Sequence, residues 1–199
     1  MAIAKTNAST ALPGLEERVV AWRGVRLRLF AGGIGRPLLL LHGASGAAPG
    51  FSTCVPLMLP GRRLLIPDLP GHGGSDRLPE ASSTAGAADL LVAACAHEEV
   101  GEVDVFGHSL GGAIGLRLAV RHPSLVRRLV LAAPTRSDLP APDCPTLVLW
   151  GARDRQRPLD EGVALARRLA APLRTVAGCG HLLPVERPDV CATVVREFL

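Results

Sequence analysis

The chain is 199 residues long, 48% apolar and 20% charged; that is enough apolar material for the core of a single domain, and it excludes an intrinsically disordered chain. Its formal net charge of +4 comes from 21 Arg and one Lys, Lys5, with no Tyr and 3% aromatic residues. The Arg pairs 62-63, 127-128 and 167-168 are scattered, so no base-stacking surface for nucleic acid is expected.

At the start of the chain, Met1 to Pro13 holds one Lys and no apolar core of a leader, so no signal peptide is expected. Residues 1–14 read as a flexible tail ahead of one domain spanning the rest. No run approaches the roughly 18 apolar residues of a spanning helix. The five cysteines, Cys54, Cys95, Cys144, Cys179 and Cys191, are odd in number and show no CxxC spacing. They read as reduced thiols rather than a disulfide framework or zinc site. A cytoplasmic protein without membrane contact is the expectation.

Val19–Trp22 and Val25–Phe30 read as two antiparallel strands around Arg23-Gly24. Pro37–Leu41 is a continuous apolar run ended by His42-Gly43, as in a strand buried on both faces. A helix at Pro49–Leu59 and a strand at Arg63–Pro67 follow, then a helix at Ser83–Glu99 and a strand at Val103–Phe106. Next come a helix at Leu110–Arg121 and strands at Val126–Ala132 and Thr146–Trp150. A helix at Leu159–Leu169, a strand at Leu173–Val176 and a helix at Pro188–Leu199 complete the chain. Strands alternating with helices predict an α/β fold: a mainly parallel twisted sheet with helices on both faces, joined by right-handed crossovers. In such sheets the chemistry gathers past the carboxyl ends of the strands.

The most informative junction is Gly107-His108-Ser109-Leu110-Gly111-Gly112. A serine between two glycines, where a buried strand turns abruptly into a helix, takes a strained backbone and presents its hydroxyl outward. The helix that starts at Leu110 directs its free N–H groups toward that oxygen. Three segments, His42-Gly43, Asp68-Leu-Pro-Gly-His-Gly-Gly-Ser75 and Gly107–Gly112, occur in this order. With them the sequence, from about Val19 to Leu199, resembles the α/β-hydrolase superfamily in its bacterial esterase-like branch.

A neutral serine at pH 7 needs a base of matched pKa, and histidine suits the role. The resemblance implies the chain order Ser, acid, His. His42, His72, His97 and His108 precede Ser109, which leaves His122 and His181. His122, in Arg-His-Pro, reads as a helix C-cap. His181, in Gly-Cys-Gly-His-Leu after a strand, resembles the family's base, with Cys179 a bystander. Asp154, after the strand Thr146–Trp150, matches the family's acid. Asp138 is the alternative because some relatives place the acid one strand earlier. Asp143 is near the start of the next strand, on the wrong side of the sheet, and Glu186 and Asp189 read as solvated residues opening the last helix.

An oxyanion on the acyl carbon needs fixed N–H donors. One is the amide of Leu110, and the resemblance implies the second at Ala44, in the loop His42–Gly46. His42 itself reads as a loop brace. Gly43, Phe51 and Leu182 are candidate substrate-contacting residues, with Leu183 a further wall candidate. No G-x-G-x-x-G opens a helix after the first strand, no Walker lysine is present and no metal-ligand spacing appears, so no cofactor and no metal are expected.

Most members of the superfamily insert a helical cap before the strand at Thr146–Trp150. Only Pro134–Pro145 stands there, with prolines at 134, 140, 142 and 145, and proline removes amide donors and fixes φ. A cap-less core acting on a small ester-like molecule follows, by hydrolysis of an ester or thioester through an acyl-enzyme. The same residues would serve lactone or C–C bond hydrolysis and acyl transfer. A non-catalytic accessory protein of the same fold is the alternative from another class. A second subunit covering the open site is a further expectation, and it requires an exposed apolar patch.

Overall fold

The computed structural model describes residues 12–79 and 84–199. Of the tail expected at residues 1–14 only Leu12–Gly14 are described, and Ser83, the expected start of a helix, lies outside the described residues.

Eight strands form one sheet: β1 (Glu16–Trp22), β2 (Val25–Gly32), β3 (Arg36–Leu41), β4 (Arg62–Pro67), β5 (Val103–His108), β6 (Val126–Ala132), β7 (Thr146–Gly151) and β8 (Leu173–Val176). Their order across the sheet is β1-β2-β4-β3-β5-β6-β7-β8. β1 and β2 pair antiparallel, from Glu16 opposite Ala31 to Trp22 opposite Val25, and β2 runs antiparallel to β4. The two-residue turn between them has φ of 49° at Arg23 and 80° at Gly24, the left-handed pair that matches strand twist in a tight hairpin. All other pairings are parallel.

The apolar runs explain the burial. Along β3 and β4 alternate residues enter opposite cores: Leu38, Leu40, Leu64 and Ile66 on one face, Leu39, Leu41 and Leu65 on the other. The helices are α1 (Val55–Met58), α2 (Thr84–His97), α3 (Leu110–Arg121), α4 (Leu159–Arg168), α5 (Leu183–Glu186) and α6 (Pro188–Phe198). The first face is covered by residues of α1 and α6, the second by α2 and α3. At roughly 2 kcal/mol for each fully buried leucine, this two-sided burial is the main favourable contribution to folding.

Two expectations fail locally. The helix expected over Pro49–Leu59 is a 3₁₀ turn, Ala48–Phe51, followed by the single turn α1. Pro56 has no N–H to close an α-helical bond onto Ser52, and Gly50 weakens the preceding turn. The four-residue α5 was not expected at all.

At the amino edge of the sheet several arginines have structural work. Asp104, with its side chain fully buried, is held by Arg62 at 2.7 Å and Arg127 at 2.6 Å. The equally buried Glu98 is held by Arg18 at 2.5 Å and Arg63 at 3.0 Å. No cap stands between β6 and β7: residues 133–145 contain neither helix nor strand. Arg168 of α4 ties this segment down, donating to the carbonyls of Ser137 (2.7 Å) and Leu139. Among the described residues, no helix is long and apolar enough to cross a membrane.

Candidate active site

β3, β5 and β6 end at one edge, with Leu41 beside Gly107 and His108 beside Ala132. The chain turns there from β5 into α3 through Ser109, whose φ is 51° and ψ −114°. Such a conformation is strained for a residue with a Cβ and persists only when its surroundings fix it. Ser109 donates its N–H to Ala132 O at 2.9 Å, and its carbonyl accepts from Gly112, Ala113 and Thr135 at 3.0–3.2 Å. The flanking glycines are dictated by close approach. A Cβ at Gly107 would sit 2.5 Å from the Gly111 carbonyl oxygen, and one at Gly111 would sit 2.3 Å from that of Leu41.

Loops after β7 and β8 bring two further side chains to this turn. His181 Nε2 lies 3.1 Å from Ser109 Oγ, and His181 Nδ1 lies 2.8 Å from Asp154 Oδ2. The other oxygen of Asp154 accepts the N–H groups of Gln156 at 2.9 Å and Arg157 at 2.8 Å, so the carboxylate cannot rotate freely. An acceptor at Nδ1 fixes the tautomer in which Nε2 carries the lone pair that faces the serine hydroxyl. All three side chains are nearly shielded from water: Ser109 is 8% exposed and Asp154 7%. Asp138, the alternative acid, is exposed and lines a separate cavity between the cap-less segment and α4. His122 caps α3 and faces Asp89 at 3.2 Å.

Among the described residues, no acceptor is hydrogen-bonded to the backbone N–H of Ala44 or of Leu110. The loop that carries Ala44 is fixed from several directions. His42 donates from Nδ1 to Gly43 O at 2.8 Å and accepts the Leu69 N–H on Nε2 at 2.9 Å. Burial pushes the His42 imidazole below its ordinary pKa, in keeping with a neutral ring that accepts at Nε2. His72 Nε2 lies 2.8 Å from Ala44 O. The buried Asp68 carboxylate accepts the N–H groups of Ala48 and Gly74, both at 2.7 Å, and that of Arg28 Nε at 2.5 Å. These bonds set the shape of the segment Asp68–Ser75.

Two cavities flank the turn. One of about 70 Å³ is lined by Gly43, Phe51, His108 and Leu182 among others. The other, of about 330 Å³, lies beside Leu110 and Ile114 and is bounded by Leu69, His72, Arg77 and Leu78. Phe51 is buried against Phe106 with ring centres 6.4 Å apart, and Leu182 stands half-exposed at the mouth. Leu183 is not a wall residue: it is wholly buried in the core, because the turn α5 points it inward.

Two residues at this site escaped the sequence reading. His108 is buried, its ring centre 5.0 Å from that of His181, and its Nε2–H donates to His181 O at 2.8 Å. Burial first of all lowers its pKa, to about 4, so the ring is neutral near pH 7. The available signal was its place immediately before the serine, on a strand with no solvent-facing side. Glu186 is exposed, as expected, but it ends α5 rather than opening the last helix. Its carboxylate turns back and accepts the N–H groups of Gly180 at 2.7 Å and Leu182 at 3.0 Å, because α5 reverses the chain within one turn. Among the described residues, no three His, Cys, Asp or Glu side chains converge as a metal site.

A family model described as the alpha/beta hydrolase fold matches residues 36–144. A 2-hydroxymuconate semialdehyde hydrolase of Pseudomonas sp. (strain CF600) is 34% identical over 129 residues, covering 63% of this chain and 45% of the relative. The chain thus spans less than half of that relative's length. Among solved structures, a predicted CIB-like hydrolase from Thermoplasma acidophilum superimposes with a TM-score of 0.85 at 21% identity, covering 92% of this chain and 97% of the other. A thermophilic esterase from Thermogutta terrifontis does so with a TM-score of 0.83 at 21% identity, with the same coverage.

Proposed function

This chain belongs to the α/β hydrolase fold family, and on that premise we propose that it is a serine hydrolase, cleaving a carboxylic ester or thioester of a small acyl substrate through an acyl-enzyme intermediate. The observation that carries the reading is the relay Asp154–His181–Ser109, with contacts of 2.8 and 3.1 Å, beside two backbone N–H groups that have no acceptor among the described residues.

In this mechanism Ser109 Oγ attacks the acyl carbon as His181 Nε2 removes its proton. Asp154 holds the imidazole in the reactive tautomer and stabilises the imidazolium. The N–H groups of Ala44 and Leu110 bind the oxyanion, each contributing on the order of 10²–10³ in rate. His181 then returns the proton to the leaving alkoxide or thiolate, which departs and leaves Ser109 acylated. Water, deprotonated by His181, attacks the acyl-enzyme; the acid is released and Ser109 regains its proton. Gly43, Phe51 and Leu182 contact the substrate. No step calls on a cofactor.

The test is turnover of short-chain p-nitrophenyl esters and the matching thioesters by the wild type and by Ser109→Ala. The substitution lowers kcat by roughly 10⁴-fold or more; unchanged turnover refutes the assignment. A fluorophosphonate probe labels Ser109 stoichiometrically in the wild type, whereas a well-folded protein whose Ser109 stays inert is an accessory protein of the fold. The similarity to a 2-hydroxymuconate semialdehyde hydrolase favours a second reading, C–C bond hydrolysis by the same residues. Turnover of that semialdehyde with no ester or thioester cleavage selects it.

A further inference from the structure

We propose that Glu186 is a positioning residue for the base: its carboxylate grips the main chain on both sides of His181 and thereby holds Nε2 against Ser109. The inference rests on the reading of Ser109, Asp154 and His181 given above.

The segment from Ala177 to Leu182 has neither helix nor strand, so nothing in its own backbone pattern fixes the imidazole. Its early part is tied by Arg153 N–H to Cys179 O at 2.8 Å. Around the histidine itself, beside the Leu183 N–H that reaches His181 O at 3.0 Å, the ties come from two side chains. Glu186 Oε2 accepts the Gly180 N–H at 2.7 Å, Oε1 accepts the Leu182 N–H at 3.0 Å, and His108 donates to the carbonyl between them at 2.8 Å. Three consecutive residues are therefore held through three hydrogen bonds from these two side chains. Glycine at 180 suits this arrangement, since a Cβ there would lie 3.0 Å from Glu186 Oε1. The turn α5 brings the carboxylate back: Glu186 N–H bonds to Leu182 O at 2.8 Å, and Pro184 stands in its first turn. A carboxylate is the group for the task, because its two oxygens accept from two amides at once and its charge strengthens both bonds.

The experiment compares Glu186→Ala, Glu186→Gln and Ser109→Ala with the wild type in p-nitrophenyl acetate hydrolysis, with circular dichroism melting for folding. A displacement of the base of about 1 Å costs roughly 100-fold. Glu186→Ala therefore lowers kcat by about that factor and changes KM by less than about twofold, because only the alignment in the transition state is lost. Glu186→Gln falls between the two: its amide keeps one acceptor oxygen and turns N–H groups against the second donor. A purely structural role would lower the melting temperature and leave kcat per folded molecule intact; a folded Glu186→Ala with wild-type kcat overturns the proposal. Should neither variant fold, hydrogen exchange in the wild type decides. Slow exchange at both Gly180 and Leu182 supports the clamp, and fast exchange at either overturns it. An inactive Ser109→Ala beside a fully active Glu186→Ala removes the clamp alone. A fully active Ser109→Ala removes the triad reading and the role of Glu186 with it.

Discussion

Phe51 closes the smaller of the two cavities beside Ser109, and under the proposed hydrolysis its size there bears on substrate length. The side chain is 1% exposed and meets Phe106 edge-on, so it has no room to swing aside. A space of about 70 Å³ holds roughly two water-sized volumes, which suits a chain of one or two carbons past the reacting bond. Phe51→Ala opens the floor. For a longer chain entering the new space, each methylene buried contributes about 0.8 kcal/mol, or roughly fourfold in kcat/KM. The expected result in an acetate-to-octanoate ester series is a shift of the optimum toward longer chains, with a stability loss of about 3–5 kcal/mol from the cavity. An unaltered ranking of the esters would show that substrate does not reach Phe51. At this scale the sequence was uneven. Ser109 announced itself because a strand, two glycines and a helix leave few other uses for the serine between them. Glu186 did not, because its function depends on one four-residue turn, too short to leave a periodic trace, and an acid just ahead of a helix has an ordinary explanation as a dipole-stabilising charge.

The seating of α3 on the sheet links packing to chemistry. Gly111 N–H donates to His42 O at 3.0 Å, so the first turn of the helix is docked on the end of β3. The same contact fixes how far the Leu110 amide stands from the Ala44 loop. A methyl group at residue 111 would meet backbone oxygen atoms of Leu41 and His42 at 2.3 and 2.6 Å, neither of which can turn aside. Gly111→Ala therefore pushes α3 away from β3, costs about 1–3 kcal/mol in chemical denaturation, and lowers kcat among molecules that remain folded. Loss of stability with wild-type kcat would mean that the two amides need no fixed spacing. Elements were the most legible level. Every strand was found in the sequence, most of them extended in the structure by one to three residues, because continuous or alternating apolar runs between turn residues have few other readings. The failure over residues 49–59 has a local cause: apolar spacing there suits a helix, but Pro56 and Gly50 break it, leaving two turns that still bury Phe51, Cys54, Val55 and Met58.

Over the whole molecule, the buried titratable groups set a pH window for stability. Burial first of all pushes His108 down to about 4 and His42 below its ordinary value of 6.5. Between pH 6.5 and 4 the unfolded chain therefore takes up protons that the native state refuses, and stability falls on acidification by about 1.4 kcal/mol per pH unit for each such proton. The thiols act on the other side. Burial, followed by the nearby charge of Glu98, raises Cys95 to about 12; burial, followed by Glu186, raises Cys179 to about 11. Cys191 is raised by its hydrogen bond with Cys54 and then by burial. Above their ordinary value of 9.0 these thiols lose protons in the unfolded chain and keep them in the native one, so stability falls again as pH rises, with the same slope per thiol. Urea midpoints measured from pH 4 to 11 should show a plateau between about 6.5 and 9 and a decline on either side. Cys95→Ala lowers the plateau, since it leaves a small void, but removes one titrating thiol and so makes the alkaline decline shallower by about 1.4 kcal/mol per pH unit. Stability that holds or rises between pH 9 and 11 would show that these thiols ionise as readily in the native protein as in the unfolded chain.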